Sequence, residues 1–112
     1  VETGLEQIDD ARCLAFTDAV EFAGKRWSAS ILMAIARGSS RFGQITESVP
    51  GLSDRMLAQR LRELELAQLV DREVVASTPV LVHYRLTSRG GDLLQSLQPL
   101  VTYTQRWAER TP

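Results

Sequence analysis

The stretch GLSDRMLAQRLRELELAQL, residues 51–69, leaves the chain few ways to fold. Turned by about 100° per residue, it gathers Leu57, Leu61 and Leu64 on one stripe and sets Arg55, Gln59 and Arg62 opposite, the pattern of an amphipathic helix. Ser53 is placed to cap that helix, because its hydroxyl can accept one of the orphan N–H groups of the first turn, and Asp54 suits the positive end of the helix dipole. The outer face carries arginine and glutamine, whose forked donors and acceptors match the guanine and adenine edges of a major groove wide enough to admit a helix. A merely solvated charged face has the same composition, so the flanking segments decide between the two.

On the N-terminal side, residues 42–49 place Phe42, Ile45 and Val49 at helical spacing, and Pro50 and Gly51 end the segment. A short helix, a four-residue link over 50–53 and a longer helix with a basic face have the spacing of a helix-turn-helix. On the C-terminal side, residues 70–76 are rich in β-branched side chains. Ser77, Thr78 and Pro79 form a turn, and Val82, Tyr84 and Leu86 then alternate with His83 and Arg85. A hairpin directly after a helix-turn-helix is a wing, able to touch the DNA backbone or minor groove.

The remaining segments complete a fold that is mainly α with a small β-hairpin, a winged helix-turn-helix with a long C-terminal dimerisation helix. Residues 1–10 are acidic and lack apolar periodicity, and read as a loose arm before a single domain over 11–112. Residues 12–23 form a helix with Cys13, Phe16, Val20 and Ala23 on one side, ended by Gly24. Residues 27–37 form a more apolar helix that belongs at the centre of the fold, with Gly38 as its stop. In residues 88–110 Leu93, Leu97, Leu100, Thr104 and Trp107 recur at steps of four, three, four and three, with Pro99 between them. A helix this long is hard to bury in so small a domain, and its seam suits a homodimer interface.

At 112 residues, 44% hydrophobic and 24% charged, the chain has the make-up of one globular domain. It shows no apolar run near the roughly 20 residues that span a bilayer and no signal-like segment, so no membrane role is expected and the expected compartment is the cytoplasm. A net charge of -1 conceals an uneven distribution: residues 1–24 carry six acids against Arg12 alone, residues 25–89 carry ten bases and six acids, and residues 90–112 carry two of each. The basic part therefore coincides with the helix-turn-helix and wing. Lys25 is the single lysine; the other cations are arginines, suited to bidentate phosphate and guanine contacts. One cysteine and one histidine, Cys13 and His83, supply neither a paired-cysteine metal site nor a catalytic triad, and no phosphate-binding glycine loop is present. Neither enzymatic chemistry nor a cofactor or metal is expected. Trp27 and Phe42, each on an apolar face, are expected as core anchors, and His83 as an exposed strand residue.

Gly24-Lys25-Arg26-Trp27, Arg41-Phe42, Gly51-Leu52-Ser53 with Leu57, Arg60, Leu61, Leu64 and Glu65, Leu69-Val70-Asp71-Arg72, Pro79, and Tyr84-Arg85-Leu86-Thr87 followed by Gly90 occur in an order that resembles the HxlR-type transcriptional regulators, a group of MarR-like winged-helix proteins. The resemblance covers about residues 13–107. It implies a dimer that binds duplex DNA at a palindromic or pseudo-palindromic operator and regulates neighbouring genes, with repression the expected role. Ser53, Asp54, Arg55, Gln59 and Arg62 would lie in the major groove, and Arg41, Arg72, Thr78, His83 and Arg85 on the flanking backbone. The residues alone favour a buried, inert thiol at Cys13, which shares a face with Phe16 and Val20; the same resemblance implies an oxidant or small-molecule effector, with Cys13 where several members carry a sensing cysteine, and brings the two readings level. Gln68 departs from the glycine usual in the family, where a left-handed helix end would cost about 1 kcal/mol, and His83 replaces a common glutamate. Arg60, turned towards the core, is expected to brace the fold. The alternative function is a winged helix that only binds proteins.

Overall fold

A computed structural model describes residues 9–108 as five helices and a hairpin: α1 (Asp10–Ala23), α2 (Ser28–Ala36), α3 (Phe42–Ser48), α4 (Asp54–Leu66), β1 (Val70–Val75), β2 (Leu81–Leu86) and α5 (Ser88–Ala108). The expected acidic arm lies outside the described residues apart from Asp9 and Asp10, which belong to α1 instead: Asp9 caps the helix by accepting the Arg12 N–H at 2.8 Å. Described residues of α5 end at Ala108, so the end of the expected 88–110 helix also lies outside them.

The apolar helix α2 is the hub. It packs against α1, α3, α4, α5 and β2, and its Ile31 and Leu32 are sealed from solvent together with Ile45 of α3 and Leu57, Leu61 and Leu64 of α4. Val70, Tyr84 and Leu94 close this core from the hairpin and α5. Trp27 and Phe42 pack against it half-buried, as expected of anchors. Gly38 takes φ 111°, and the Ser39 and Gly38 N–H groups return to the Ala34 and Ile35 carbonyls, a Schellman ending that stops α2 where the sequence placed the stop.

The hairpin is antiparallel, pairing Val70 with Leu86 and Glu73 with His83. At its base the Tyr84 N–H donates to the Ser40 carbonyl at 2.7 Å, tying the link before α3 to the wing. Thr87 joins the wing to α5: its hydroxyl donates to the Gln68 carbonyl at 2.6 Å and accepts the Gly90 N–H at 3.0 Å, capping α5 against the end of α4. Gly90 packs so closely there that a Cβ would overlap the Leu69 carbonyl oxygen.

Of the two outer helices, α1 needs a correction and α5 divides its leucines between core and surface. None of the residues of α1 is buried; Phe16 and Val20 are 65% and 51% exposed and Cys13 is exposed, so the face expected inside points outward and only Phe22 packs on the core. In α5 the core residue is Leu94, with Leu93 and Leu97 half-buried beside it, whereas Leu100 and Trp107 lie outside at 58% and 44% exposure with Thr104 between them. No helix among the described residues is long and apolar enough to cross a membrane.

Candidate nucleic-acid interface

The faces of α4 divide as its periodicity requires. Leu57, Leu61 and Leu64 are buried at 0–1% exposure, while Ser53, Asp54, Arg55, Gln59 and Arg62 are all exposed. The start of the helix is fixed by Ser53, whose hydroxyl accepts the Met56 N–H at 3.1 Å, and by Gly51, whose φ of 86° allows the turn. Arg55 and Gln59 therefore stand one turn apart beside a rigidly capped N-terminus, the part of such a helix that reaches base edges. Leu66 is 80% exposed at the far end, beyond the reading residues.

The helix ends as its sequence disfavours. Gln68 takes φ 63°, and the Leu69 and Gln68 N–H groups bond back to the Leu64 and Glu65 carbonyls at 2.9 Å, so a glutamine occupies the left-handed position that glycine would fill without strain. The Thr87 hydrogen bond to the Gln68 carbonyl holds it there.

Arg41, Arg55, Arg62 and Arg72 are exposed and, among the described residues, form no ion pair, leaving four guanidinium groups available to an anionic partner. Arg41 precedes α3, where the Gln44 side-chain oxygen accepts its N–H and that of Ser40, each at 3.1 Å. Two wing residues differ from expectation. Arg85 is exposed but already engaged, 3.0 Å from Glu73 of the opposite strand. His83 is half-buried, with its Nδ1 3.4 Å from the Ser40 hydroxyl, because the link before α3 folds over the base of β2. Thr78 is exposed in the turn, where the Ser77 hydroxyl donates to the Pro79 carbonyl at 2.6 Å.

Arg60 braces the fold. It is buried to 8% exposure; its Nε donates to the Arg26 carbonyl at 2.9 Å and its Nη1 to Glu63 at 3.1 Å. Sequence reasoning missed the other half of this cluster: Glu63 also accepts from Lys25 Nζ at 3.2 Å. The two residues are 38 apart in sequence, and no local pattern announces such a pair. Partial burial works against the Glu63 carboxylate, but the Lys25 hydrogen bond and the Arg60 and Lys25 charges outweigh it and hold the carboxyl below the usual glutamate range. Trp27, at φ 79°, carries the Arg26 guanidinium 4.8 Å from its ring centroid.

Residues 22–112 match the model of the family described as HxlR-like helix-turn-helix. The HTH-type transcriptional regulator YodB of Bacillus subtilis is 40% identical over 98 residues, spanning 88% of this chain and 84% of its own. A solved structure of YodB after diamide treatment superposes with a TM-score of 0.65 at 39% identity, over 86% of this chain and 93% of that one. A transcriptional regulator of the MarR family from Enterococcus faecalis superposes with a TM-score of 0.80 at 28% identity, over 91% of each chain. The redox regulator HypR in its oxidised form does so with a TM-score of 0.65 at 30% identity, over 88% of this chain and 96% of that one.

Proposed function

The chain belongs to the HxlR-like helix-turn-helix family, and from that premise we propose that it regulates transcription as a homodimer reading a palindromic or pseudo-palindromic site in duplex DNA, with repression as its role. The observation that carries this reading is the division of α4, whose capped N-terminal half presents Arg55 and Gln59 to solvent over a sealed leucine stripe. Arginine bidentate to guanine and glutamine to adenine are the pairings such a helix makes in the major groove. Arg62 lies farther along and, with Arg41 and Arg72, suits the flanking phosphates; Thr78 and Arg85 place the wing beside them. Arg85 must leave Glu73 to contribute, so its share is smaller than that of Arg62.

The proposal includes an oxidant or electrophile signal at Cys13. What supports it is an exposed thiol on α1 and similarity to relatives studied after diamide treatment or in an oxidised form. Cys13 is the only cysteine in the sequence, so an oxidant that removes two electrons and two protons from a thiol pair can join it only to Cys13 of a second copy or to a small thiol; a peroxide would instead give a sulfenic acid.

Binding isotherms at several salt concentrations, on a duplex selected from a random pool and on its scrambled counterpart, test the reading. Arg55→Ala and Gln59→Ala are expected to cost about 1–3 kcal/mol each on the selected duplex and little on the scrambled one. Arg62→Ala is expected to weaken both alike and to make the salt slope shallower by about one counterion per lost phosphate contact. Diamide is expected to release wild type and leave Cys13→Ser bound. Equal affinity for both duplexes would give way to the protein-interaction reading, and release that ignores Cys13 would remove the redox response.

A further inference from the structure

Residues 25–27, between α1 and α2, form a strap along one flank of α4. Lys25 Nζ lies 3.2 Å from Glu63, the Arg26 carbonyl accepts from Arg60 Nε at 2.9 Å, and a Cβ at Gly51, in the turn that leads into α4, would stand 3.4 Å from the edge of the Trp27 ring. The partners descend from residue 63 to residue 51 as the strap ascends, so it runs antiparallel to α4 and ends beside that helix's N-terminus. Arg60 follows Gln59 by one residue, about 100° round the helix. The strap therefore lies beside the reading face and not behind it.

Trp27 is the strained member. Its φ of 79° is a left-handed conformation that a bulky residue seldom takes, and it begins α2 without a side-chain cap. Backbone stays in such a region where the surrounding contacts demand it. Here the half-buried indole packs on the core at the helix-turn-helix link and carries the Arg26 guanidinium 4.8 Å from its ring centroid. Arg26 is exposed and, among the described residues, forms no ion pair, whereas Lys25 is engaged by Glu63. Stacking uses the face of a guanidinium and leaves its N–H donors, which lie in the plane, free for a pair of anionic oxygens.

A helix with its side chains is about 10–12 Å across and the major groove about 12 Å wide, so a helix seated there fills it from wall to wall. Whatever lies against the flank of that helix meets the phosphates along the wall. We propose that Arg26, stacked on Trp27 and held through its backbone by Arg60, contacts a DNA phosphate on the groove wall beside the N-terminal half of α4. The inference rests on α4 being the base-contacting helix. It makes the α1–α2 turn a third DNA-contacting element beside α4 and the wing, and gives the strained Trp27 a purpose as the platform that aims the arginine.

The test measures binding of the full chain and its Arg26→Gln, Arg26→Lys and Arg12→Gln variants against salt, on the selected and scrambled duplexes and on selected duplexes in which one phosphate at a time is replaced by a neutral methylphosphonate. Arg26→Gln is expected to bind both duplexes several-fold more weakly, with a salt slope shallower by about one counterion per subunit. One methylphosphonate position in each half-site should weaken wild type and Arg62→Ala but leave Arg26→Gln no weaker than it already is. Arg26→Lys keeps the charge but neither stacks flat nor forks, so its slope should hold while its affinity falls about threefold. Arg12→Gln removes the same charge from the far end of α1 and should change neither quantity appreciably. If Arg12→Gln matches Arg26→Gln, or if Arg26→Gln responds to every methylphosphonate as wild type does, only long-range charge is at work and the proposal is overturned. A lysine variant as tight as wild type overturns the role of the stack. A wild type without preference for the selected duplex removes the reading of α4 itself, whereas a wild type that prefers it, beside an Arg26→Gln that binds just as well, removes this inference alone.

Discussion

Gln68 shows most directly how one residue can be asked to do what its chemistry disfavours. Its φ of 63° puts a Cβ-bearing residue in the left-handed region, and Leu69 and Thr87 both depend on the turn it makes. Gln68→Gly should relieve that strain and raise stability by about 1 kcal/mol, less what the more flexible unfolded chain takes back. Denaturant unfolding monitored by circular dichroism would show it, and a lower midpoint would mean that the glutamine side chain contributes something the backbone argument omits. Glu63 supplies a pH signature. Its carboxyl is held below the usual range in the folded state, so an unfolded chain takes up this proton first as pH falls. The contribution is complete above the unfolded value of about 4.3 and is lost as pH drops from there through the folded value. The stability gap between wild type and Glu63→Gln should therefore shrink between pH 6 and pH 3 in urea titrations; a gap constant with pH would mean that the carboxylate charge is not what the cluster uses.

Among the elements, legibility followed the strength of the local pattern. In α4 a leucine every three or four residues, a serine cap and arginines on the far side all agreed, and the helix lies where its periodicity put it. The hairpin was equally readable from β-branched alternation, although the fold of Ser39 and Ser40 over β2, which half-buries His83, comes from a contact 43 residues distant in sequence. Helix α1 was readable as a helix but not as a surface. Leu14, Phe16, Val20 and Phe22 fall on different sides of it among alanines, so periodicity selects no face, and the chosen stripe of Cys13, Phe16 and Val20 is the one that points outward. In α5 the seam at alternating steps of four and three skipped Leu94, the most deeply buried leucine of that helix. Because the seam belongs to a helix that serves the core with one half and projects with the other, a single register could not describe both. Gly24 ends α1 at φ -82° rather than in a left-handed cap, and its Cβ would stand 3.0 Å from the Val20 carbonyl, so tight packing, not a positive φ, is the constraint there.

The whole molecule is extended: its radius of gyration is 16.7 Å, with extents of 60 × 38 × 21 Å, against about 13 Å for a compact chain of this length. The excess comes from α1, which buries nothing, and from the second half of α5, where Leu100, Val101, Tyr103 and Trp107 are 41–58% exposed. Leu100, Tyr103 and Trp107 recur at steps of three and four and so share one face. An apolar helical stripe held away from its own core is the kind of surface a second copy covers, and two-fold symmetry would present two copies of α4 to the two halves of a palindromic site. The dimer is therefore proposed to form on α5 with α1 beside it. Leu97 and Leu100 both line the apolar cavity between α2 and α5, but Leu97 is half-buried there, so a charge on it would disturb the monomer, whereas Leu100 is 58% exposed; Leu100→Glu with Trp107→Glu is the cleaner change. The double variant is expected to sediment as a monomer with unchanged helical content and to lose most of its affinity for a two-half-site duplex, while keeping weak binding to a single half-site. A wild type that is already monomeric at micromolar concentration, or a double variant that still sediments as a dimer, would place the partner surface elsewhere.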